Sequence, residues 1–374
     1  MIPFARHTPA TNELRYVGQA LSAGLTSGDG AFTRRASALL AEQVGGAPVL
    51  LTTSCTHALE MQALVLGVAA GDEVVMPSYT FSSTANAFAL RGATIRFADV
   101  SAGSWSMGPD QVEPLLSART RVVVAVAYNG VSERLGELDA LCRARGVTLV
   151  IDAAQAFGAA HRGRPVASFG AMAALSFHAT KNLSCGEGGA LILNEPTLRH
   201  TAEMIREKGT DRGSFLRGEI DKYTWRCVGS SYLPSEVNAA MLTAQLEEAA
   251  VIQRRRHAAW STYRAALMPQ ASRHGIALQQ IPDDDAHPAH LFGLLAPTPA
   301  ARAALLTRLA ARGIKAASHY EPLHRAPAHA GSEELPNTDA VATRIVRLPL
   351  HGAVDATVAA RIADALLAAL HEVA

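Results

Sequence analysis

At 374 residues, 49 % of them apolar and 18 % charged, the chain has a globular balance and exceeds what one hydrophobic core usually supports, so two domains are expected. Its net charge is +1, with 34 basic and 33 acidic residues and no polybasic or aromatic-spaced basic stripe, which argues against a nucleic-acid surface. Cys55, Cys142, Cys185 and Cys227 form no CxxC pair, and the 14 histidines include no HExxH, so neither a disulfide framework nor a metal site is expected.

The opening "MIPFARHTPATNE" lacks the apolar core of a signal peptide, and no apolar run of about 18 residues follows. A cytoplasmic chain without a membrane partner is the expectation. Short β-rich runs then alternate with helical patterns. "VLLTTS" (49–54) leads into "CTHALEMQALVLGV", where Leu59, Ala63 and Leu66 recur at helical spacing. "EVVMPS" (73–78) leads into "FSSTANAFALRG". "TIRFADV", "RVVVAVAY" (121–128) and the helix "LGELDALCRARG" follow, then "VTLVIDAA" (147–154), "MAALSFHA" (172–179) and "GGALILN" (188–194). Several strands are nearly all apolar, the mark of a mainly parallel sheet covered on both faces. The β-α-β-α order predicts an α/β layered fold, with ligands at the carboxyl ends of the strands. A single long helix is expected from Pro234 to Leu267. A smaller α/β unit follows: strand "HLFGLLA", helix "PAARAALLTRLAARG", strands "IKAASHY" and "IVRLPL", and a last helix from Asp355 to about Val373.

Only four of the basic residues are lysine: 181, 208, 222 and 315. A chain that otherwise uses arginine keeps Lys181 inside "SFHATKNLSCGEGG". That points to chemistry needing an amine that can lose its proton and attack a carbonyl. Asp152 closes a buried strand, where a carboxylate is costly unless paired. Gln155 lies three residues on, and Lys181 about 29 residues on. An Asp ending one buried strand and a Lys following a later one suit a pyridoxal phosphate (PLP) site. There the lysine forms an imine, and the aspartate keeps the pyridine nitrogen protonated. "TTSCTH" (52–57), at a strand-to-helix junction, offers amides and hydroxyls to a phosphate, Ser176 offers another hydroxyl, and Phe81 an aromatic face. "GEGGA" is neither GxGxxG nor a Walker loop, and His178 reads as structural.

With "SGDGAFTRR", "LLTTSCTHALEM", "GDEVVMPSYTFSSTANAFALRGA", "IDAAQ", "SFHATKNLSCGEGGALI", "REKGTDRGSFLRGEIDKYTWRCVGSSYLPSEVNAA" and "HYEPLH", the chain resembles the nucleotide-sugar C3/C4 aminotransferases. These belong to the PLP-dependent aspartate-aminotransferase superfamily (fold type I). The likeness spans nearly the whole chain and is strongest to transaminases that form dTDP-4-amino-4,6-dideoxygalactose. It implies a large domain (1–250, with an N-terminal segment 1–25) built on a mainly parallel seven-stranded sheet, and a small C-terminal α/β domain (251–374). It implies Lys181 as the imine-forming lysine, Asp152 on the pyridinium nitrogen and Gln155 on the ring hydroxyl. Thr56, the His57 amide and Ser176 would hold the phosphate, and Phe81 would stack on the ring. A homodimer with shared sites is implied, with Lys222 to Tyr232 reaching the neighbour. Many relatives carry Asn in a "GYNxR"-like stretch that contacts the partner's phosphate, and Ser231 stands at that cofactor-binding position here. Lys222, Tyr223, His319 and Tyr320 fall at substrate-side positions. The implied reaction moves an amino group from L-glutamate to C4 of dTDP-4-keto-6-deoxy-D-glucose, with pyridoxamine phosphate as the intermediate form of the cofactor. A sugar 3-aminotransferase or another enzyme of this fold is the alternative. A non-catalytic regulator would need a basic recognition helix, which the chain lacks. Relatives that are dehydratases carry His in place of the lysine.

Overall fold

The computed structural model describes residues 1–329 and 331–373. At its centre a seven-stranded sheet runs in the spatial order Val49–Thr52, Gly189–Leu193, Met172–Ser176, Thr148–Asp152, Thr120–Val126, Glu73–Pro77, Thr94–Ala98. The last five are mutually parallel; Gly189–Leu193 runs against both its neighbours, so six strands point one way and one the other. The apolar runs explain this sheet. One face packs Leu40, Leu135, Leu138, Ile151 and Leu175. The other packs Leu59, Met61, Phe88, Val124 and Leu191. With both faces covered, neither side of a strand is free to be polar. The helices Ser82–Ala89 and Leu135–Ala144 provide the crossovers that parallel neighbours require, and Cys55–Val65 lies in the longer connection from Val49–Thr52 to Glu73–Pro77 across the sheet. The loops after six strands therefore gather at one edge of the sheet.

The long helix expected from Pro234 is two helices, Glu236–Glu247 and Ala249–Leu267, with Glu248 between them at φ −99° and ψ 7°. Glu248 is held out of the helical run, its carboxylate accepting the Thr11 amide at 2.8 Å. Apolar residues recur on both sides of the corner, so periodicity alone does not reveal it. The second helix carries the chain into a separate core, where Ala259, Tyr263 and Leu267 pack with Phe292, Leu305, Val346, Ile362 and Leu366. A three-stranded antiparallel sheet lies there: Ala277–Leu278, Phe292–Leu295 and Ile345–Leu348. The last helix, Ala356–His371, starts on Asp355, whose carboxylate accepts the Val358 amide at 2.8 Å.

"IKAASHY" is not a strand. It makes isolated bridges in two directions, Ile314 to Ile2 and Ala317 to Arg347. Because its two ends bond to different neighbours, no ladder propagates. A further cluster joins the halves of the molecule: Tyr79, Val100, Trp105 and Tyr128 pack against Leu291, Leu295, Val341 and Ile345. Among the described residues no helix is long and apolar enough to cross a membrane.

Candidate active site

A cavity of about 610 Å³ opens at the strand ends. Asp152, Gln155, Ser176, Lys181, Thr56, Phe81, His319 and Tyr320 all line it, although they are spread over 265 positions from Thr56 to Tyr320, inclusive. Lys181 sits in the connection between Met172–Ser176 and its antiparallel neighbour Gly189–Leu193. Four backbone bonds tie that connection down: Phe177 to Gly188 (2.9 Å), Ala179 to Gly186 (2.8 Å), Cys185 to Phe177 (3.0 Å) and Lys181 to His178 (2.9 Å). Asn182 clamps the same loop to the rest of the molecule. It donates to the Pro288 carbonyl at 2.8 Å, and its side-chain carbonyl faces His290 Nδ1 at 2.8 Å.

Asp152 is 6 % exposed. The Thr84 hydroxyl donates to it at 2.7 Å and the Ala154 amide at 3.0 Å. Burial nevertheless outweighs these bonds and pushes its carboxyl above the ordinary aspartate range. Desolvation also depresses the Lys181 amine, against the pull of Asp152, while the positive charge of Arg347 depresses it further. An acid with no ion pair among the described residues and an amine biased toward its neutral form thus face one cavity. Burial holds the Cys55 thiol well up, and so uncharged.

The phosphate end has a more specific geometry than "TTSCTH" alone implies. Ser54 caps the helix Cys55–Val65, its hydroxyl accepting the His57 amide at 3.1 Å. Such a cap is worth about 1 kcal/mol. His57 does not line the cavity, and its ring packs on Tyr232 at 5.0 Å. The cavity-lining residues Cys55 and Thr56 present the first amides of that helix instead. The Thr56 hydroxyl meets the Ser83 hydroxyl at 2.8 Å, joining this helix end to that of Ser82–Ala89. Ser176, 7 % exposed, lies on the adjoining strand. Gly189 makes the approach possible: a Cβ there would stand 2.4 Å from the Cys55 nitrogen. Two helix N-termini, three hydroxyls and no acid among them suit a phosphate.

Gln155 is engaged at both ends. Its carbonyl accepts the Asn129 amide at 2.8 Å, and its amide donates to the Tyr320 hydroxyl at 2.9 Å. Tyr320 stacks on His319 with ring centroids 3.9 Å apart. Burial lowers His319 to about 2, so that ring is neutral at physiological pH. Phe81, 57 % exposed, stands at the mouth, 6.0 Å from the Tyr320 ring. Lys222, Tyr223 and Ser231 are exposed and line no part of this chain's cavity. His178 lines it half-buried, with Nδ1 2.9 Å from the Thr180 hydroxyl. Thr84, Ser83, Phe4, His290 and Arg347 escaped the sequence reading. Ser83 and Thr84 follow Phe81 closely but read as ordinary helix residues, and no spacing pattern links the other three to the site.

The cavity fits pyridoxal phosphate. Asp152 is a buried acid in want of a cation, the paired helix ends present amides and hydroxyls, and Lys181 is the lysine lining the cavity. The family model of the DegT/DnrJ/EryC1/StrS aminotransferase family matches residues 8–367. Solved structures align over the chain as well. The aminotransferase TlmJ from Streptoalloteichus hindustanus is 29 % identical, with a TM-score of 0.92 over 100 % of both chains. DesV of S. venezuelae, solved with a ketimine intermediate, is 28 % identical, with a TM-score of 0.86 over 95 % of this chain and 93 % of that one. Spr1654 of Streptococcus pneumoniae in its PLP form is 21 % identical, with a TM-score of 0.91 over 100 % of this chain and 99 % of that one.

Proposed function

The chain belongs to the DegT/DnrJ/EryC1/StrS aminotransferase family and is a PLP-dependent aminotransferase of fold type I; from that premise we propose that it moves an amino group from L-glutamate to C4 of dTDP-4-keto-6-deoxy-D-glucose. The observation that carries the transfer is the pairing, in one cavity, of a desolvated Lys181 with a buried Asp152. The choice of sugar and carbon rests on the likeness of "LLTTSCTHALEM", "SFHATKNLSCGEGGALI" and "HYEPLH" to transaminases with that substrate.

When bound, the cofactor supplies an aldehyde that carries the amino group between substrates and a ring that withdraws electrons from the reacting carbon. The protein does the rest. Asp152 would keep a proton on the ring nitrogen, its carboxylate fixed by Thr84 and Ala154. Thr56, Ser83 and Ser176 would hold the phosphate. Lys181 would hold the aldehyde end, and its free amine would accept the proton of the donor's α carbon at Nζ. The depressed basicity of that amine suits the task, because a neutral amine can accept a proton at neutral pH. Tyr320 and His319 roof the cavity from the second half of the molecule, and the Gln155 amide, which donates to the Tyr320 hydroxyl, would serve the ring hydroxyl.

We further propose a homodimer in which Lys222, Tyr223 and Ser231 serve the neighbour's cavity. The support is their exposure here, together with that of Trp225 (75 %) and Val228 (61 %) in the same stretch.

The purified enzyme, given glutamate and dTDP-4-keto-6-deoxyglucose, is expected to release 2-oxoglutarate and a dTDP-4-amino-4,6-dideoxyhexose. The H3–H4 and H4–H5 couplings of the product report the configuration at C4. Lys181→Arg should lose at least roughly 10²–10⁴-fold in turnover, since a guanidinium stays protonated. Amination of a 3-keto sugar in preference to the 4-keto sugar, or steady turnover by Lys181→Arg, would count against the proposal.

A further inference from the structure

Asn129 lies in the loop after the strand Thr120–Val126 and is 2 % exposed. It does not line the cavity, and the steps above do not use it. Its backbone N–H is donated to the Gln155 side-chain carbonyl at 2.8 Å. A backbone N–H can only donate, so the Gln155 atom that faces it has to be the oxygen. The amide end of Gln155 is thereby the one turned to Tyr320. One of its N–H groups is used there, at 2.9 Å, which leaves the second for the cavity that Gln155 lines. Turned over, Gln155 would set its amide against the Asn129 N–H, two buried donors with no acceptor between them.

The side chain of Asn129 is held from the second half of the molecule. Its carbonyl accepts the Leu291 amide at 2.9 Å, and its amide donates to the Gln279 side-chain carbonyl at 2.7 Å. Gln279 donates in turn to the Ser104 carbonyl at 2.7 Å. This series of bonds begins on a backbone group that only donates and ends on one that only accepts. Each side-chain amide within it therefore has a single orientation. Leu291 adjoins the strand Phe292–Leu295, and Gln279 adjoins Ala277–Leu278. Asn129 also holds φ +57°, a left-handed conformation that asparagine tolerates better than most side chains. In it the N–H reaches Gln155 while the side chain reaches Gln279 and Leu291.

We propose that Asn129 is a positioning residue for the cofactor ring: braced by Gln279 and Leu291, it keeps the amide of Gln155 toward the cavity, where that amide meets the ring hydroxyl. The proposal rests on the reading of Gln155 given above. Gln155 by itself could present either end to the cofactor, since glutamine donates through one and accepts through the other. A ring oxygen that has lost its proton is stabilised by a donor. An acceptor in the same place would disfavour the deprotonated form and keep the proton on to higher pH. Asn129 thus sets, without touching the cofactor, which of these two states the site favours.

The test titrates the colour of the resting holoenzyme with pH in single and double variants, with melting curves run alongside. Removing the donor in Gln155→Met should raise the pH of the colour change by about one unit, the order of one hydrogen bond. Asn129→Ala loses both side-chain bonds and strains the left-handed backbone, and should raise it by at least half as much. Asn129→Gly keeps that backbone without strain, so it guards against misfolding, and should give a smaller rise in the same direction. The double variant Asn129→Ala/Gln155→Met should titrate as Gln155→Met does, because Asn129 acts through Gln155. Shifts that add in the double variant overturn the proposal. So does a lowered melting point with an unmoved colour change in both Asn129 variants, provided Gln155→Met shifts; that result leaves the reading of Gln155 standing. An unmoved colour change in Gln155→Met sinks that reading and this proposal with it. None of these outcomes depends on which sugar is aminated.

Discussion

Asp152 couples cofactor chemistry to stability through its proton. Its carboxyl titrates higher in the fold than in an unfolded chain because burial disfavours the charge. Without cofactor, the group's contribution to stability is therefore whole below the ordinary aspartate range. It is lost as pH rises through the raised folded value. Asn at this position has no charge to bury and can keep both contacts. Its carbonyl can accept the Ala154 amide and its amide can donate to Thr84, whose hydroxyl is 2.8 Å from that of Thr80 and can turn to it. Apo Asp152→Asn should melt with the wild type near pH 4 and roughly 2–4 °C above it at pH 7, the shift that about 1 kcal/mol produces in a large domain. The same variant should lose turnover, since an amide cannot hold the ring nitrogen's proton by charge. Thermal melts of the apo forms from pH 4 to 8 check this, and a gap that narrows as pH rises contradicts it. The candidate that strand-end position singled out, Asp152, is thus the one whose environment is most unusual. Its partner Thr84 was hidden because a hydroxyl inside "FSSTANAF" looks like any helix residue until the strand is set beside it.

At the scale of elements, the site depends on how closely the strand beginning at Gly189 passes the helix beginning at Cys55. In the sequence "GEGGA" can be told from a dinucleotide or Walker loop, but what each glycine approaches cannot be read. Gly186 has φ +82°, the turn residue proper, and nothing lies within 4 Å of a Cβ built there. Gly189 has an ordinary φ and no room: a Cβ would meet the Cys55 nitrogen at 2.4 Å and the Ser54 carbonyl carbon at 2.4 Å. Gly189→Ala should cost about 1–3 kcal/mol by overpacking. It should weaken PLP binding as well, because the atoms pushed aside are the helix end that faces the phosphate. PLP titration of the apo variant, alongside its melting curve, is the measurement, and wild-type affinity with a lowered melting point would detach the glycine from the phosphate site. The alternation of elements was legible because strands buried on both faces leave a strong apolar signal. The corner at Glu248 and the unladdered "IKAASHY" were not, because each is set by a contact with the N-terminal residues, Thr11 in one case and Ile2 in the other. Long-range contacts of that kind leave no periodic trace. Arg347 was missed for a related reason: "IVRLPL" reads as a strand with one charge, and only the assembled cavity shows that this charge meets no carboxylate among the described residues.

For the whole molecule, we propose that residues 1–250 and 251–374 are distinct domains with Glu248 as the corner between them, the cavity forming where they meet. On that picture a single chain supplies Lys181, Asp152 and Arg347 to its own cavity, but not Lys222, Tyr223 or Ser231. The stretch that carries them exposes Trp225 and Val228, more apolar surface than a loop needs, and is tied down by Asp211, which accepts the Thr224 amide at 2.7 Å and pairs with Arg226 at 2.5 Å. A tethered loop with apolar tips is suited to dock on a second copy. If it serves the neighbour's cavity across a two-fold axis, then Lys181→Ala and the double variant Lys222→Ala/Tyr223→Ala damage sites in different ways. Each alone should be inactive. Mixed equally and allowed to exchange subunits, half of the dimers are hybrids, and each hybrid has one site with both an intact Lys181 and an intact neighbouring loop. Activity should then return to about a quarter of the wild-type value. If the loop acted on its own chain's cavity, every site in the hybrid would lack one component and mixing would restore nothing. A double variant active on its own would show that the loop serves no cavity at all.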